Sequence, residues 1–361
     1  MFNLKKLVRK NILQLKPYSS ARHEFVGNAS IYLDANENAL GSSVTTKFCH
    51  QNTVYFNRYP DPLQQQLKDK LASIKNVPAK NIFIGNGSDE GIDLAIRIFC
   101  EPNTDNILIC SPTYGMYNVC AAINNVAVLD VPLNINFQLQ VDVIKNTINE
   151  NTKVIFICSP NNPTGNCLNN VDIQTLLQFF KGIVVVDEAY IDFANQPSMI
   201  ALLHDYKNLI VIQTMSKAWG LAALRMGLCF ASVDIINIFN KVKPPYNINE
   251  ATQQLGLFAL QHYAQVSNWI NQIIEQKKMV SDAIKILNFV KCIYHSDANF
   301  LLVKVDNANQ LYQFLCNNGI IVRNRTNEIG CNNCIRITIG TPNENEILLN
   351  YLYQFNQIIK A

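Results

Sequence analysis

The sequence predicts an α/β protein of the kind built on a mostly parallel central sheet covered by helices, with a smaller α+β domain after it. Three observations predict this. The chain has 361 residues, more than the roughly 150 of one average domain. Between about Asn81 and Phe230, short β-rich apolar runs alternate with longer segments of helical period, the pattern of βαβ units. KPPY at Lys243–Tyr246 then interrupts any helix with two prolines, and a different pattern follows.

Taken in order, residues 1–40 read as an arm that packs on the small domain or on a partner subunit. Residues 41–248 form the large domain, whose strands are NIFIG, NILIC, VAVLDV, KVIFICS, GIVVVDEAY, LIVIQTMS and GLCFAS. Such continuous apolar runs are what strands buried on both faces require. Residues 249–361 form the linking helix and the small domain. Asn249–Leu287 is helix-compatible throughout, and FLLVKV, GIIVR and CIRITIG are its later strands. There is no internal repeat.

Composition narrows the function classes. Hydrophobic residues make up 48% and charged residues 16%, enough to bury a sizeable core. The net charge of +3 is too small to recruit nucleic acid without a local cluster. The one basic cluster, MFNLKKLVRKN, precedes no uninterrupted apolar run and reads as a surface arm, and no run approaches the ~20 residues of a membrane span. Eleven cysteines sit scattered in apolar runs, where they behave as small buried hydrophobes and fit a reducing cytoplasm. Cys331 and Cys334 have metal-ligand spacing but no matching second pair, so GCNNC reads as a loop and no metal is expected.

Four stretches carry chemistry. In GNGSDEGIDLAIRIF a strand turns through Gly87, Ser88 and Asp89 into a helix with Ile92, Ala95, Ile96 and Phe99 on its apolar side. Free amides and the positive dipole end there suit an anion such as phosphate, although Ser and Asp also cap helices with no ligand present. SPNNPTG ends a buried strand in a rigid turn that displays Asn162, either as a ligand donor or as a plain turn residue. GIVVVDEAYIDF ends in Asp187, Glu188 and Tyr190, where a buried carboxylate needs a partner. Lys217, in TMSKAWGLAALRMG, stands at the mouth of an apolar turn, where desolvation and neighbouring cations lower an amine's pKa and make it a nucleophile for a carbonyl. Arg225, eight residues on, can return a guanidinium to hold a phosphate.

Asn162, Asp187 and Lys217 each follow a separate strand, and ligands of open parallel sheets bind beyond the strands' carboxyl ends. One cleft can therefore hold all three. A carbonyl and a phosphate in one ligand point to pyridoxal 5'-phosphate, which needs a lysine, an acid at its ring nitrogen, a donor at its phenolic oxygen and a phosphate cradle. Lys217, Asp187, Asn162 with Tyr190, and Gly87–Asp89 with Ser216 and Arg225 supply these in turn.

At these residues the sequence resembles the fold-type I, class II pyridoxal phosphate aminotransferases, and within them the histidinol-phosphate aminotransferase branch. LKPYSSAR, LDANENALG, NRYPDP, GNGSDEGID, PTYGMY, SPNNPTG, VVVDEAYIDF, SKAWGLAALRMG and IRITIGT occur in that family's order. The resemblance implies that Lys217 takes the cofactor's aldehyde carbon and carries a proton between substrate and cofactor. It also implies that Asp187 keeps the pyridine nitrogen protonated and that Tyr114 stacks on the ring. Tyr59 would reach a cofactor phosphate across a homodimer interface. Arg336 would bind the carboxylate of glutamate and, with Arg323, the phosphate of histidinol phosphate, with Asn36 on the substrate side. The implied reaction exchanges amino and oxo groups between L-histidinol phosphate and 2-oxoglutarate. An aromatic amino acid aminotransferase and a threonine-phosphate decarboxylase-like enzyme are the alternatives. Ala39 stands where the family usually has Pro, and Ala223 where it often has Gly.

Overall fold

The structure, a computed structural model, describes residues 9–16, 29–43 and 57–359. Most of the basic segment before Asn11 and of LKPYSSAR lies outside the described residues. Strand β1 (Ile31–Tyr32) stands apart from the central sheet, whose strands are β2 (Ile82–Asn86), β3 (Asn106–Ile109), β4 (Ala127–Asp130), β5 (Thr152–Cys158), β6 (Ile183–Asp187), β7 (Leu209–Thr214) and β8 (Met226–Ala231). Their order is β2-β8-β7-β6-β5-β3-β4. Strand β8 pairs antiparallel with both neighbours, while the pairs among β3 to β7 are parallel. The sheet is thus mostly parallel, with one reversed strand that the sequence pattern does not distinguish from the rest.

Side chains alternate between the sheet's two faces. Val184 and Val186 of β6 join one apolar cluster and Val185 the other. Both clusters are buried, which is why Val184, Val185 and Val186 are apolar in succession. Each fully buried Val or Ile stabilises the fold by about 1.5–3 kcal/mol relative to exposure.

The later strands are β9 (Val290–Ile293), β10 (Phe300–Val305), β11 (Ile320–Ile321), β12 (Arg323–Asn324) and β13 (Cys334–Thr338). A four-stranded sheet runs β12-β13-β10-β9. GIIVR, which reads as one strand, is divided: Ile320 and Ile321 pair in parallel with Ile31 and Tyr32, whereas Arg323 and Asn324 pair with β13.

The single helix expected over Asn249–Leu287 is two, Glu250–Gln261 and Tyr263–Ile284. The break is at His262, whose amide bonds Ala259 O three residues back and whose ring Nδ1 lies 2.8 Å from Phe258 O. No Gly or Pro marks it. The last helix, Pro342–Ile358, opens on a capping box in which Thr341 and Glu344 satisfy each other's amides.

Candidate active site

The site lies beyond the carboxyl ends of β5, β6 and β7. Register sets Cys158 beside Asp187 and Asp187 beside Ile212. The turns leaving these strands therefore share one edge, and Asn162, Asp187 and Lys217 line one cavity of about 260 Å³.

Asp187 ends β6 at 2% exposure. Its Oδ2 accepts from Tyr117 Oη at 2.8 Å and its Oδ1 from the Ala189 amide at 3.1 Å. Both donors are neutral, so burial prevails and lifts the carboxyl to about 6. Lys217 Nζ donates to Ala35 O at 3.0 Å and lies 5.8 Å from the Tyr190 ring centre. Burial first, then the Arg336 guanidinium, lowers its pKa to about 8.

Gly87 joins β2 to the helix Ser88–Phe99 with φ +80°. A Cβ there would lie 2.5 Å from Arg225 Nη2, so only glycine lets the turn and the guanidinium share this corner. Ser88, Asp89, Ser216 and Arg225 line the same cavity. Arg225 reaches Asp89 at 3.4 Å, Tyr114 Oη donates to Asp89 Oδ1 at 3.0 Å, and the Ser216 hydroxyl accepts from Thr214 Oγ1 at 2.9 Å.

On the opposite side Arg336, at 3% exposure, donates to Asn162 Oδ1 at 2.6 Å and to Asp34 O at 2.7 Å. Asn162 thereby keeps its amide nitrogen as the group able to donate into the cavity. Asn36 donates to Tyr190 Oη at 3.0 Å and accepts from Thr338 Oγ1 at 2.9 Å. Both ends of its amide are thus engaged, and they orient the tyrosine. Arg323 also lines the cavity.

Tyr59 is not brought there. It is 81% exposed and stacks on Tyr246 with ring centres 4.4 Å apart. Ala39 and Ala223 line an adjacent cavity of about 420 Å³. Cys331 and Cys334 are buried and joined by a turn, the Cys334 amide donating to Cys331 O at 2.9 Å. No group of three or more His, Cys, Asp or Glu able to hold a metal occurs among the described residues, and no described helix is long and apolar enough to cross a membrane.

Tyr117 and Arg325 are among the residues of the site that the sequence pattern does not single out. Tyr117, at 0% exposure, holds Asp187. Arg325 lines the cavity with Arg323 and Arg336; its signal is its place two residues after Arg323, on the same side of an extended chain.

Five cations line the cavity, Lys217, Arg225, Arg323, Arg325 and Arg336, against the acids Asp34, Glu37, Asp89 and Asp187. Such a set suits an anionic guest that also carries a carbonyl for Lys217 and a basic nitrogen for Asp187.

Residues 28–352 match the family aminotransferase class I and II. The chain belongs to that family. This aminotransferase is 50% identical over 350 residues to a histidinol-phosphate aminotransferase of Parabacteroides distasonis, covering 97% of this chain and 98% of that one. It is 48% identical to that of Cytophaga hutchinsonii, over 97% and 99% of the two chains. Its fold matches the histidinol-phosphate aminotransferase of Sinorhizobium meliloti in complex with pyridoxal-5'-phosphate, with a TM-score of 0.86, 21% identity and 98% of each chain covered. The cofactor of the family is pyridoxal phosphate. The aminotransferase's own residues fit it: the absence of a Cβ at Gly87 lets the Arg225 guanidinium lie against the turn that opens the helix, and Asp187 has only neutral donors, as an acid that meets a ring cation requires.

Proposed function

We propose that this aminotransferase exchanges the amino group of L-histidinol phosphate with the oxo group of 2-oxoglutarate, giving imidazole acetol phosphate and L-glutamate in histidine biosynthesis. The observation that carries the reading is Arg336 and Arg323, side by side in register on the wall of the cavity that contains Lys217. They offer the anion site that both the phosphate ester and the dicarboxylate need. The names of relatives 48–50% identical over nearly the whole chain supply the substrate.

Pyridoxal phosphate, when bound, supplies an electron-accepting ring joined to the carbon at which amino and oxo groups exchange. Gly87, Ser88, Asp89, Ser216 and Arg225 would hold its phosphate, Asn162 and Tyr190 its phenolic oxygen, and Tyr114 its ring face. Asp187, whose carboxyl burial raises in the cofactor-free protein, would be kept ionised by the ring cation and would hold the proton at the ring nitrogen. Lys217 Nζ, whose pKa burial and then the Arg336 guanidinium lower to about 8 in the cofactor-free protein, would move the proton to and from the substrate α-carbon. Arg336, anchored on two neutral acceptors, keeps its charge for the substrate anion.

The proposal extends to a cytoplasmic homodimer with an arm (1–40), a large cofactor domain (41–248) and a linking helix with a small domain (249–361). The exposed Tyr59, away from its own chain's cavity, supports a partner-facing role. Ten described free cysteines support a reducing compartment.

The test compares turnover of histidinol phosphate with that of phenylalanine, each with 2-oxoglutarate. A strong preference for the phosphate ester is expected, and near-equal kcat/KM values would remove the narrow assignment. Lys217→Ala should lose the borohydride-reducible yellow species and at least ~10²-fold in rate.

A further inference from the structure

Resting on that substrate reading, we propose that Arg325 is a specificity-determining residue: a third guanidinium that selects a phosphate monoester over a carboxylate at the substrate's anionic end.

Strand parity puts the three arginines on one face. Arg323 pairs in register with Arg336 and Asn324 with Ile335. The Arg325 amide continues the ladder by donating to Cys334 O at 2.8 Å. In an extended chain residues two apart share a face, so Arg323 and Arg325 point the same way. The intervening Asn324 points elsewhere, its amide donating to Asn309 Oδ1 at 2.7 Å on the exposed side. Arg323, Arg325 and Arg336 accordingly all line one cavity.

Like charges directly across a strand pair destabilise it, so three guanidiniums on one face are a costly arrangement that an anion relieves. A carboxylate carries one charge and two oxygens. A phosphate monoester carries about −1.5 to −2 near pH 7 and three acceptor oxygens, which matches three planar forks.

Arg325 also differs from its neighbours in setting. Arg323 and Arg336 are 4% and 3% exposed, and Arg336 is fixed by two short hydrogen bonds. The Arg325 side chain is 16% exposed, and its Nη1 meets Glu328 at 3.5 Å, a carboxylate itself 41% exposed. A long ion pair in contact with water is weak, and a phosphate inside the cavity offers the same guanidinium shorter, paired contacts. Arg325 can therefore answer the extra charge of the ester while Arg336 and Arg323 serve both substrates.

The experiment uses the holoenzyme and its Arg325→Gln and Arg325→Lys variants, each checked for wild-type cofactor absorbance and melting temperature. KM and kcat are measured for L-histidinol phosphate and for L-glutamate as amino donors. In Arg325→Gln the KM for histidinol phosphate should rise about tenfold or more, the loss of a charge-assisted contact. The KM for glutamate should move less than about threefold and kcat should stay within about threefold for both. Arg325→Lys, with charge but no fork, should fall between. Equal rises for the two donors, or no rise for the ester, would overturn the proposal. Inorganic phosphate is then tested as an inhibitor of the glutamate half-reaction, where its Ki should rise about fivefold or more in Arg325→Gln; an unchanged Ki also overturns it. If wild-type enzyme does not turn over histidinol phosphate, the substrate reading fails, and the phosphate Ki still decides the role of Arg325. If Arg325→Gln does not fold, Arg325→Lys carries both comparisons with smaller factors.

Discussion

Replacing Asp187 by Asn should stabilise the cofactor-free protein at alkaline pH while abolishing most of its activity. The carboxyl is 2% exposed and accepts only from Tyr117 Oη and the Ala189 amide. Burial moves its pKa from 3.8 to about 6. At about 1.4 kcal/mol per pH unit, ionising it inside the fold rather than in the unfolded chain costs about 3 kcal/mol. The folded pKa is the higher one, so the native state binds more protons than the unfolded state between about pH 4 and 6. The protonated carboxyl's contribution is fully present below about pH 4 and is lost as pH rises through about 6. Asn keeps both contacts, because Oδ1 can accept from Ala189 N while Nδ2 donates to the tyrosine oxygen. Urea unfolding of the cofactor-free proteins at pH 8 should find the variant more stable by about 1–3 kcal/mol, and at pH 4.5 by less than about 1 kcal/mol. Glu188, raised by burial to about 7, titrates in both proteins and cancels in the difference. With the proton at the ring nitrogen no longer held by a carboxylate, kcat should fall on the order of 10²-fold or more. A variant no more stable than wild type at pH 8, or stabilised equally at both pH values, would refute the argument that Asp187 is a buried charge awaiting a cation.

Two further perturbations test the cradle and the support of the acid. Gly87→Ala sets a side chain at φ +80° and 2.5 Å from Arg225 Nη2; strain of about 1–2 kcal/mol and a displaced guanidinium should weaken cofactor binding tenfold or more, read by titrating the cofactor-free protein with pyridoxal phosphate. Tyr117→Phe removes a hydrogen bond that favours the Asp187 carboxylate, so in the cofactor-free protein the Asp187 pKa rises and the fall of stability with rising pH should continue to about one pH unit higher, read by urea unfolding across pH; an unmoved profile would make Tyr117 a packing residue only.

The parts of the site that the sequence makes legible share a physical cause. A strand buried on both faces is apolar throughout, so Asp187 at the end of GIVVVD and the turn after KVIFIC stand out against their neighbours. The direction of β8 is not legible, because GLCFA would be equally apolar running either way. The break at His262 is also hidden, since it rests on local hydrogen bonds that no Gly or Pro announces. For Tyr117 the obstacle is of another kind. It lies 70 residues before the carboxylate it holds, on the helix Met116–Asn124, and its ring stacks on Phe156 with centres 4.8 Å apart. In sequence it looks like any core aromatic, because most of its surface does what a phenylalanine would do. A group that reacts must be an exception to the pattern around it, whereas a group that positions another can satisfy the packing pattern fully and act through a single polar atom. Arg325 falls between these cases: its parity with Arg323 is written in the chain, but its meaning depends on which strand lies across from it, and only the pairing of β12 with β13 supplies that.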